Sequence, residues 1–193
     1  MSAKCVFLDR DNTIIDDPGY LTHPAAVKLL PGADQALRSL VEAGWKLVIV
    51  SNQSAIARGL LTEEGLDRVH GELRRQLRER GVNLDGIYFC PYHPEGTVER
   101  YAKESPDRKP HPGIFQAALD RTGLEAKHTM FVGDSLTADI VGARRMGMVA
   151  VLKSRHEVPV DASIRPDHQI ARLSQLPQVL DQYQLPTPHP GGS

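Results

Sequence analysis

The sequence predicts a doubly wound α/β fold with a mostly parallel sheet, and three observations predict it. Short apolar runs rich in Val, Ile and Phe recur along the chain. Each is bounded by polar or Gly residues, and each is followed by a segment whose apolar residues fall at helical spacing. A run that is apolar throughout, with no alternation, must be covered on both faces, as a strand between two layers of helix is.

The predicted strands are residues 5–8, 46–50, 87–89, 129–132 and 149–152, and the predicted helices between and after them are 33–43, 62–80, 113–122 and 137–146. Thr62, Glu63 and Glu64 open one helix with a capping hydroxyl and two acids, which suit a first turn. A last helix is expected over residues 171–182. Strands that alternate with helices form an open, Rossmann-like sheet that binds ligands at the carboxyl ends of its strands.

With 193 residues, residues 1–185 are expected to form a single domain and 186–193 a disordered tail, since its three prolines and two glycines leave nothing to bury. The formal net charge of -1 and the lack of a long basic run point away from nucleic acid and membrane surfaces. The first apolar run ends at Asp9, too early for a signal peptide, and no segment approaches a membrane span. Two cysteines, Cys5 and Cys90, make no disulfide framework, so the chain is expected in a reducing, cytoplasmic compartment. It is also expected to be a monomer.

Four places carry polar groups where a strand should end or a helix begin. Asp9, Arg10, Asp11, Asn12 and Thr13 directly follow the first run. Two carboxylates one residue apart at a strand exit point to the same side. One can attack phosphorus while the other gives a proton to the leaving oxygen and later takes one from water. A carboxylate repels a phosphate dianion, so such a site needs a cation, which Mg²⁺ bound through a few oxygens supplies. Ser51, Asn52, Gln53 and Ser54 follow the second run, where a hydroxyl and backbone N–H groups can hold phosphoryl oxygens. Arg108, Lys109 and Pro110 stand before a helix, and Lys109 is a compact charge for a phosphate or for the nucleophile. Asp134 leaves the fourth run beside Gly133 and can reach a metal, while Asp139 either supports that metal or suits a helix dipole. Taken singly, these are also a pair of solvated acids, a helix cap, a basic loop and a helix start. Their order along the chain is what carries the chemistry.

Asp9-x-Asp11-x-Thr13, Ser51-Asn52, Lys109 and Gly133-Asp134-x4-Asp139 resemble the four motifs of the haloacid dehalogenase-like phosphatases. The stretches Ser51-Asn52-Gln53-Ser54-Ala55-Ile56-Ala57-Arg58-Gly59 and Arg108-Lys109-Pro110-His111-Pro112-Gly113 are similar to the branch holding the heptose-1,7-bisphosphate 7-phosphatases and the histidinol phosphatases. The resemblance implies that Asp9 forms an aspartyl-phosphate and binds Mg²⁺. It implies that Asp11 is the general acid and base and lends its backbone carbonyl to the metal, and that Asp134 completes the protein ligands. Ser51 and Lys109 would neutralise phosphoryl oxygens, with Asn52, Gln53 and Ser54 beside them. Pro18, Gly19, Tyr20 and Leu21 would line the substrate site, and Arg108 would meet a remote part of the substrate. Heptose bisphosphate leads as substrate, with histidinol phosphate or another small sugar phosphate as the alternative. The chain departs from the family at Asn12, where Gly is usual, and at Ser135, where the heptose enzymes tend to have Lys. The spacings from Thr13 to Ser51 and from Gln53 to Lys109 leave no room for an inserted cap, so a capless core is expected.

Many members of that branch staple the loop before the lysine with zinc, on the pattern Cys-x-His and then Cys-x-Cys. At those positions this chain has Cys90, Tyr92, Ser105 and Asp107. A structural site wants four thiolates or imidazoles and only Cys90 qualifies, so structural zinc is not expected. Cys90, His93 and Asp107 remain as a weaker three-ligand set, and packing with Pro91, Pro94 and Pro106 is expected to hold the loop. A phospho-accepting receiver module is the rival from another class. It would place its reactive Asp after a central strand, where this chain has Cys90 and Pro91 after residues 87–89.

Overall fold

The computed structural model describes residues 4–17, 19–158 and 163–182. Six strands form one sheet: β1 (Lys4–Leu8), β2 (Trp45–Asn52), β3 (Gly86–Cys90), β4 (Thr129–Gly133), β5 (Val149–Lys153) and β6 (His168–Ile170). Their order is β3-β2-β1-β4-β5-β6, and every pairing is parallel. The expected mostly parallel sheet is therefore wholly parallel among the described residues. The sixth strand was not expected, because a three-residue edge strand with one apolar residue leaves no periodic signal.

Alternation within each strand sends side chains to two cores. Val6, Leu8, Leu47, Ile49, Met130 and Val132 pack against α1 (Ala33–Glu42), α2 (Glu63–Arg78) and α5 (Leu176–Gln182). Cys5, Phe7, Val48, Val50 and Phe131 pack on the other face against α3 (Gly113–Thr122) and α4 (Val141–Arg145). Thr62 caps α2 as expected, its Oγ1 accepting from Gly65 N at 3.0 Å. Two aspartates begin strands by one device: Asp85 and Asp167 each take a backbone N–H on the neighbouring strand, from Leu47 and Ala150, at 2.8 Å.

Two predicted helices differ. The segment after β4 begins as a π turn over Leu136–Ile140 and becomes α-helical only at α4. Ser135 causes this, because its carbonyl accepts both Asp139 N and Ile140 N while its Oγ caps Ala138 N. The last helix is preceded by a 3₁₀ turn at Leu173–Gln175, so α5 is shorter than expected. The predicted tail, 186–193, lies outside the described residues.

The chain runs outward from β1 through β2 to β3, then returns to place β4 on the other side of β1. A crevice opens where the order reverses, at the carboxyl ends of β1 and β4. No inserted domain stands between β1 and α1, β2 and α2, or β3 and α3, as the spacing predicts. No helix among the described residues is long and apolar enough to cross a membrane.

Phe115 of α3 meets Phe131 of β4 edge to face at 5.2 Å, and both are fully buried. Phe115→Ala removes a ring from a core that cannot collapse around a sheet. The expected loss of stability is about 3–5 kcal/mol in urea unfolding. A loss under about 1 kcal/mol would show that α3 is not anchored through this pair.

Candidate active site

Asp9 follows β1 and Asp134 follows β4, so the crevice at the reversal brings them together. Asp9 N donates to Val132 O at 2.8 Å, which continues the β1–β4 ladder one residue past β1. A cavity of 220 Å³ here is lined by Asp9, Asp11, Ser51, Lys109, Asp134 and Asp139, among others. Residues from four separate motifs in the sequence thus face one space.

Lys109 is 3% exposed and reaches across the crevice. Its Nζ donates to Asp9 Oδ1 at 2.7 Å and to Val50 O at 2.9 Å, and it pairs with Asp139 Oδ1 at 2.6 Å. Burial by itself would depress this ammonium, but Asp139 and Asp9 outweigh it and hold the group above its ordinary value. Asn52 fixes the lysine's backbone: its Nδ2 donates to Lys109 O at 3.1 Å, and its Oδ1 accepts Lys109 N at 3.0 Å. The Asn52 side chain, expected on the substrate, is committed to this clasp.

Asp139, 1% exposed, carries more than its sequence position suggested. One oxygen pairs with Lys109 and the other accepts Ser135 N at 3.0 Å. Gly133 makes room for it, since a Cβ there would lie 2.3 Å from Asp139 Oδ2. Carboxylate oxygens of Asp9, Asp134 and Asp139 all lie within 4.8 Å of one another. Burial and the neighbouring Asp9 and Asp139 push Asp134 up to about 7. Of these three carboxylates only Asp9 and Asp139 pair with the ammonium, and oxygen donors at this spacing fit a hard divalent cation.

Asp11 is held from behind. Arg10 grips both of its oxygens at 2.8 and 3.0 Å, and Gln53 Nε2 donates to its Oδ2 at 2.8 Å and to Ser51 Oγ at 3.0 Å. Burial raises the Asp11 carboxyl, and Arg10 opposes that. Asn12 adopts the left-handed φ of 52° that a Gly would take more easily, with its Oδ1 accepting Asp17 N at 3.3 Å and its carbonyl accepting Lys153 Nζ at 2.6 Å.

Of the residues expected to line the substrate site, Tyr20, Leu21, Asn52, Gln53 and Ser54 line the cavity. Gly19 and Arg108 are not among its lining residues, and Pro18 lies outside the described residues. Arg108 sits farther out, donating to Tyr92 O at 3.2 Å, with Arg58 close enough to lower its pKa further after burial.

The loop from β3 to α3 brings in Lys109. Cys90 and Ser105 are buried, Tyr92 packs on Tyr101 at 5.9 Å between ring centres, and Asp107 is exposed. Ala57 O accepts both Thr97 N and Val98 N, and Asp107 N donates to Ser105 Oγ at 3.2 Å. Among the described residues, the three aspartates are the group of acids, histidines or cysteines close enough to share an ion, and Cys90, His93 and Asp107 do not form another.

Arg10, His70 and Asp139 are the residues that the sequence undervalued. Arg10 is the unspecified position of the motif Asp9-x-Asp11, and His70 belongs to no motif. For His70 the signal was helical register, since it falls on the buried face of α2 with Leu66, Val69 and Leu73; for Arg10 the sequence carried none.

A family model, that of the haloacid dehalogenase-like hydrolases, matches residues 19–147. The D-glycero-beta-D-manno-heptose-1,7-bisphosphate 7-phosphatase of Escherichia coli O6:H1 is 36% identical over 186 residues, covering 96% of this chain and 98% of its own. The enzyme of the same name from Yersinia pestis is 34% identical, covering 93% of this chain and 96% of its own. Among solved structures, the D,D-heptose 1,7-bisphosphate phosphatase of B. bronchiseptica, complexed with magnesium and phosphate, superposes with a TM-score of 0.78 at 27% identity, covering 93% of this chain and 99% of that one. The sheet order, the motifs at its strand ends and these similarities agree: the chain belongs to the haloacid dehalogenase-like hydrolases.

Proposed function

We propose that this chain is a Mg²⁺-dependent phosphatase that works through an aspartyl-phosphate on Asp9, with D-glycero-D-manno-heptose 1,7-bisphosphate as substrate, cleaved at the 7-position. The observation that carries the mechanism is the Asp9 carboxylate, ion-paired with buried Lys109 and sharing one cavity with Asp11 and Asp134. Support for the substrate comes from relatives of that name that match this chain over nearly its whole length.

Asp9 Oδ1 is turned to Lys109, which leaves its other oxygen to attack phosphorus. Asp11 gives its proton to the leaving oxygen as the P–O bond breaks, and the sugar departs as an alcohol. The resulting Asp11 carboxylate then takes a proton from a water that attacks the aspartyl-phosphate, releasing inorganic phosphate and restoring Asp9. Ser51 Oγ accepts Gln53 Nε2, so its own O–H is directed to a phosphoryl oxygen. Lys109 has three donors already placed on Asp9, Asp139 and Val50 O and acts chiefly by its charge. The carboxylates of Asp9 and Asp134 and the backbone carbonyl of Asp11 would hold Mg²⁺. When bound, the ion offsets the repulsion between these carboxylates and the phosphate dianion.

Asp9→Asn should reduce turnover to background, and Asp11→Asn should slow it by about 10²–10⁴-fold while phosphate-ester binding persists. Steady-state kinetics with a beryllium fluoride trap on Asp9 checks both. Normal turnover by Asp9→Asn would sink the covalent route.

Asp134 also sets a pH dependence. Its folded pKa of about 7 lies above the ordinary 3.8, so the metal-free fold keeps a proton there that the unfolded chain has lost. That contribution to stability fades as pH rises through about 7, where the ionised carboxylate then favours the cation. Mg²⁺ should therefore raise Tm more at about pH 8 than at about pH 5.5. An equal rise at both would remove Asp134 from the ion's ligands.

Ser135, in the position where the heptose enzymes tend to have Lys, favours the second reading, a histidinol phosphate or another small sugar monophosphate. Arg108→Ala separates the two. For a bisphosphate, losing a charge-assisted contact to the uncleaved phosphate should raise KM by about 10- to 100-fold, with little change for a monophosphate. Equal effects on both would favour the monophosphate.

A further inference from the structure

Arg10 is the largest fully buried side chain among the described residues, 1% exposed. A guanidinium does not shed its charge, and a buried charge without a partner is strongly destabilising. Among the described residues its only carboxylate partner is Asp11, gripped through Nε at 2.8 Å and Nη2 at 3.0 Å. Its remaining nitrogen, Nη1, lies 3.2 Å from His70 Nε2. Arg10 has only donors to offer, so His70 Nε2 must be the acceptor, which makes the ring neutral with its proton on Nδ1. Burial, followed by Arg10 and Arg74, lowers His70 to about 3, in keeping with a neutral ring. The ring is itself fixed, buried on α2 and tilted against Phe89 at 5.8 Å.

A charged side chain this deep would be expensive to keep for packing alone. Its three contacts form one line from α2 to the candidate acid: His70, Arg10, Asp11. We propose that Arg10 and His70 are positioning residues for Asp11. His70 fixes the plane of the guanidinium, and Arg10 fixes the carboxyl group and stabilises the carboxylate left behind when its proton departs. In that step Asp9 forms a bond to phosphorus, the bond from phosphorus to the leaving oxygen breaks, and the Asp11 proton passes to that oxygen. Gln53 holds the Asp11 carboxyl as well, at 2.8 Å, so the group is restrained by two elements besides its own loop.

The inference rests on the role proposed for Asp11, and one kinetic comparison tests the two separately. General acid help matters for an alkoxide leaving group and hardly at all for p-nitrophenolate. The parameter kcat/KM covers steps up to departure of that group, so the later hydrolysis of the phospho-enzyme does not enter it. The readout is kcat/KM for heptose 1,7-bisphosphate divided by that for p-nitrophenyl phosphate, on the full chain with Mg²⁺. Asp11→Asn should lower this ratio by about 10²-fold or more. Arg10→Met should lower it by at least about ten-fold, and Arg10→Lys by less. His70→Phe, which keeps a ring beside Phe89 but removes the acceptor, should lower it too. His70→Gln, which keeps an acceptor oxygen, should restore it to near the wild-type value. A merely structural role would depress both substrates alike and leave the ratio unmoved.

If Asp11→Asn leaves the ratio unchanged, the acid assignment fails. If Asp11→Asn lowers it while folded Arg10→Met and His70→Phe stay within about two-fold of wild type, the positioning role is overturned and the acid assignment stands. Should Arg10→Met fail to fold, the contrast between His70→Phe and His70→Gln decides, and equal ratios for those two variants would overturn the proposal.

Discussion

Gathering Asp9, Asp139 and Lys109 in one buried place would cost several kcal/mol for each ion left without a partner. Every part of the crevice therefore works to pair them. Lys109 lies on the loop after β3, Asp9 follows β1, and Asp139 lies in the turn after β4. The ion pairs at 2.7 and 2.6 Å consequently tie three crossovers of the sheet to a single nitrogen. Asn52 clasps the lysine's backbone from β2, and Gly133 lacks the Cβ that would displace Asp139. The fold and the chemistry make the same demand here. A strand order that reversed elsewhere would leave Lys109 without its acids.

Asp134 shows the other side of that balance. It stands beside the pair without an ammonium of its own, and its carboxyl is pushed upward by burial and by Asp9 and Asp139. A group destabilised in its charged form while facing a cavity marks a place poised for a positive ligand. Asp11, two residues from Asp9, is treated differently because Arg10 opposes the effect of burial. Thus two carboxylates near Asp9 meet distinct environments, one open to the cavity without a paired cation and the other held by a guanidinium.

The strands β1, β2, β4 and β5 were legible because most of their residues are buried and must be apolar, and residues 5–8 and 129–132 were read almost to their observed ends. The strand exits made Asp9, Asp11, Ser51 and Asp134 legible as candidates, a helix entrance did the same for Lys109, and all five meet in one cavity. What escaped was set by tertiary contact. Three residues of β6 gain their register from β5, with Asp167 fastening the start, and carry no pattern of their own. The π turn at Leu136–Ile140 follows from Ser135 accepting two N–H groups, a choice that local propensity does not announce. His70 looked like any buried histidine on a helix face, because its partner lies 60 residues away.

The two departures from the family pattern are both absorbed by local hydrogen bonding. At residue 12 the backbone needs a positive φ, and Asn tolerates it because a short amide can bond to the nearby chain, here to Asp17 N. That conformation also presents Asn12 O to Lys153 Nζ, so the loop after β1 is tied to the end of β5. At residue 135 the hydroxyl of Ser caps Ala138 N, while its backbone N–H serves Asp139, the partner of Lys109. A lysine at this position would keep the backbone contact but lose the cap, since an ammonium has no acceptor to offer. Ser135 thus exchanges a mobile cation at the rim of the cavity for a firmer turn beneath it. Arg58 and Arg108 lie outside the residues that line this cavity, close enough that the charge of Arg58 opposes that of Arg108, so the cation given up at residue 135 is not replaced within the lining itself.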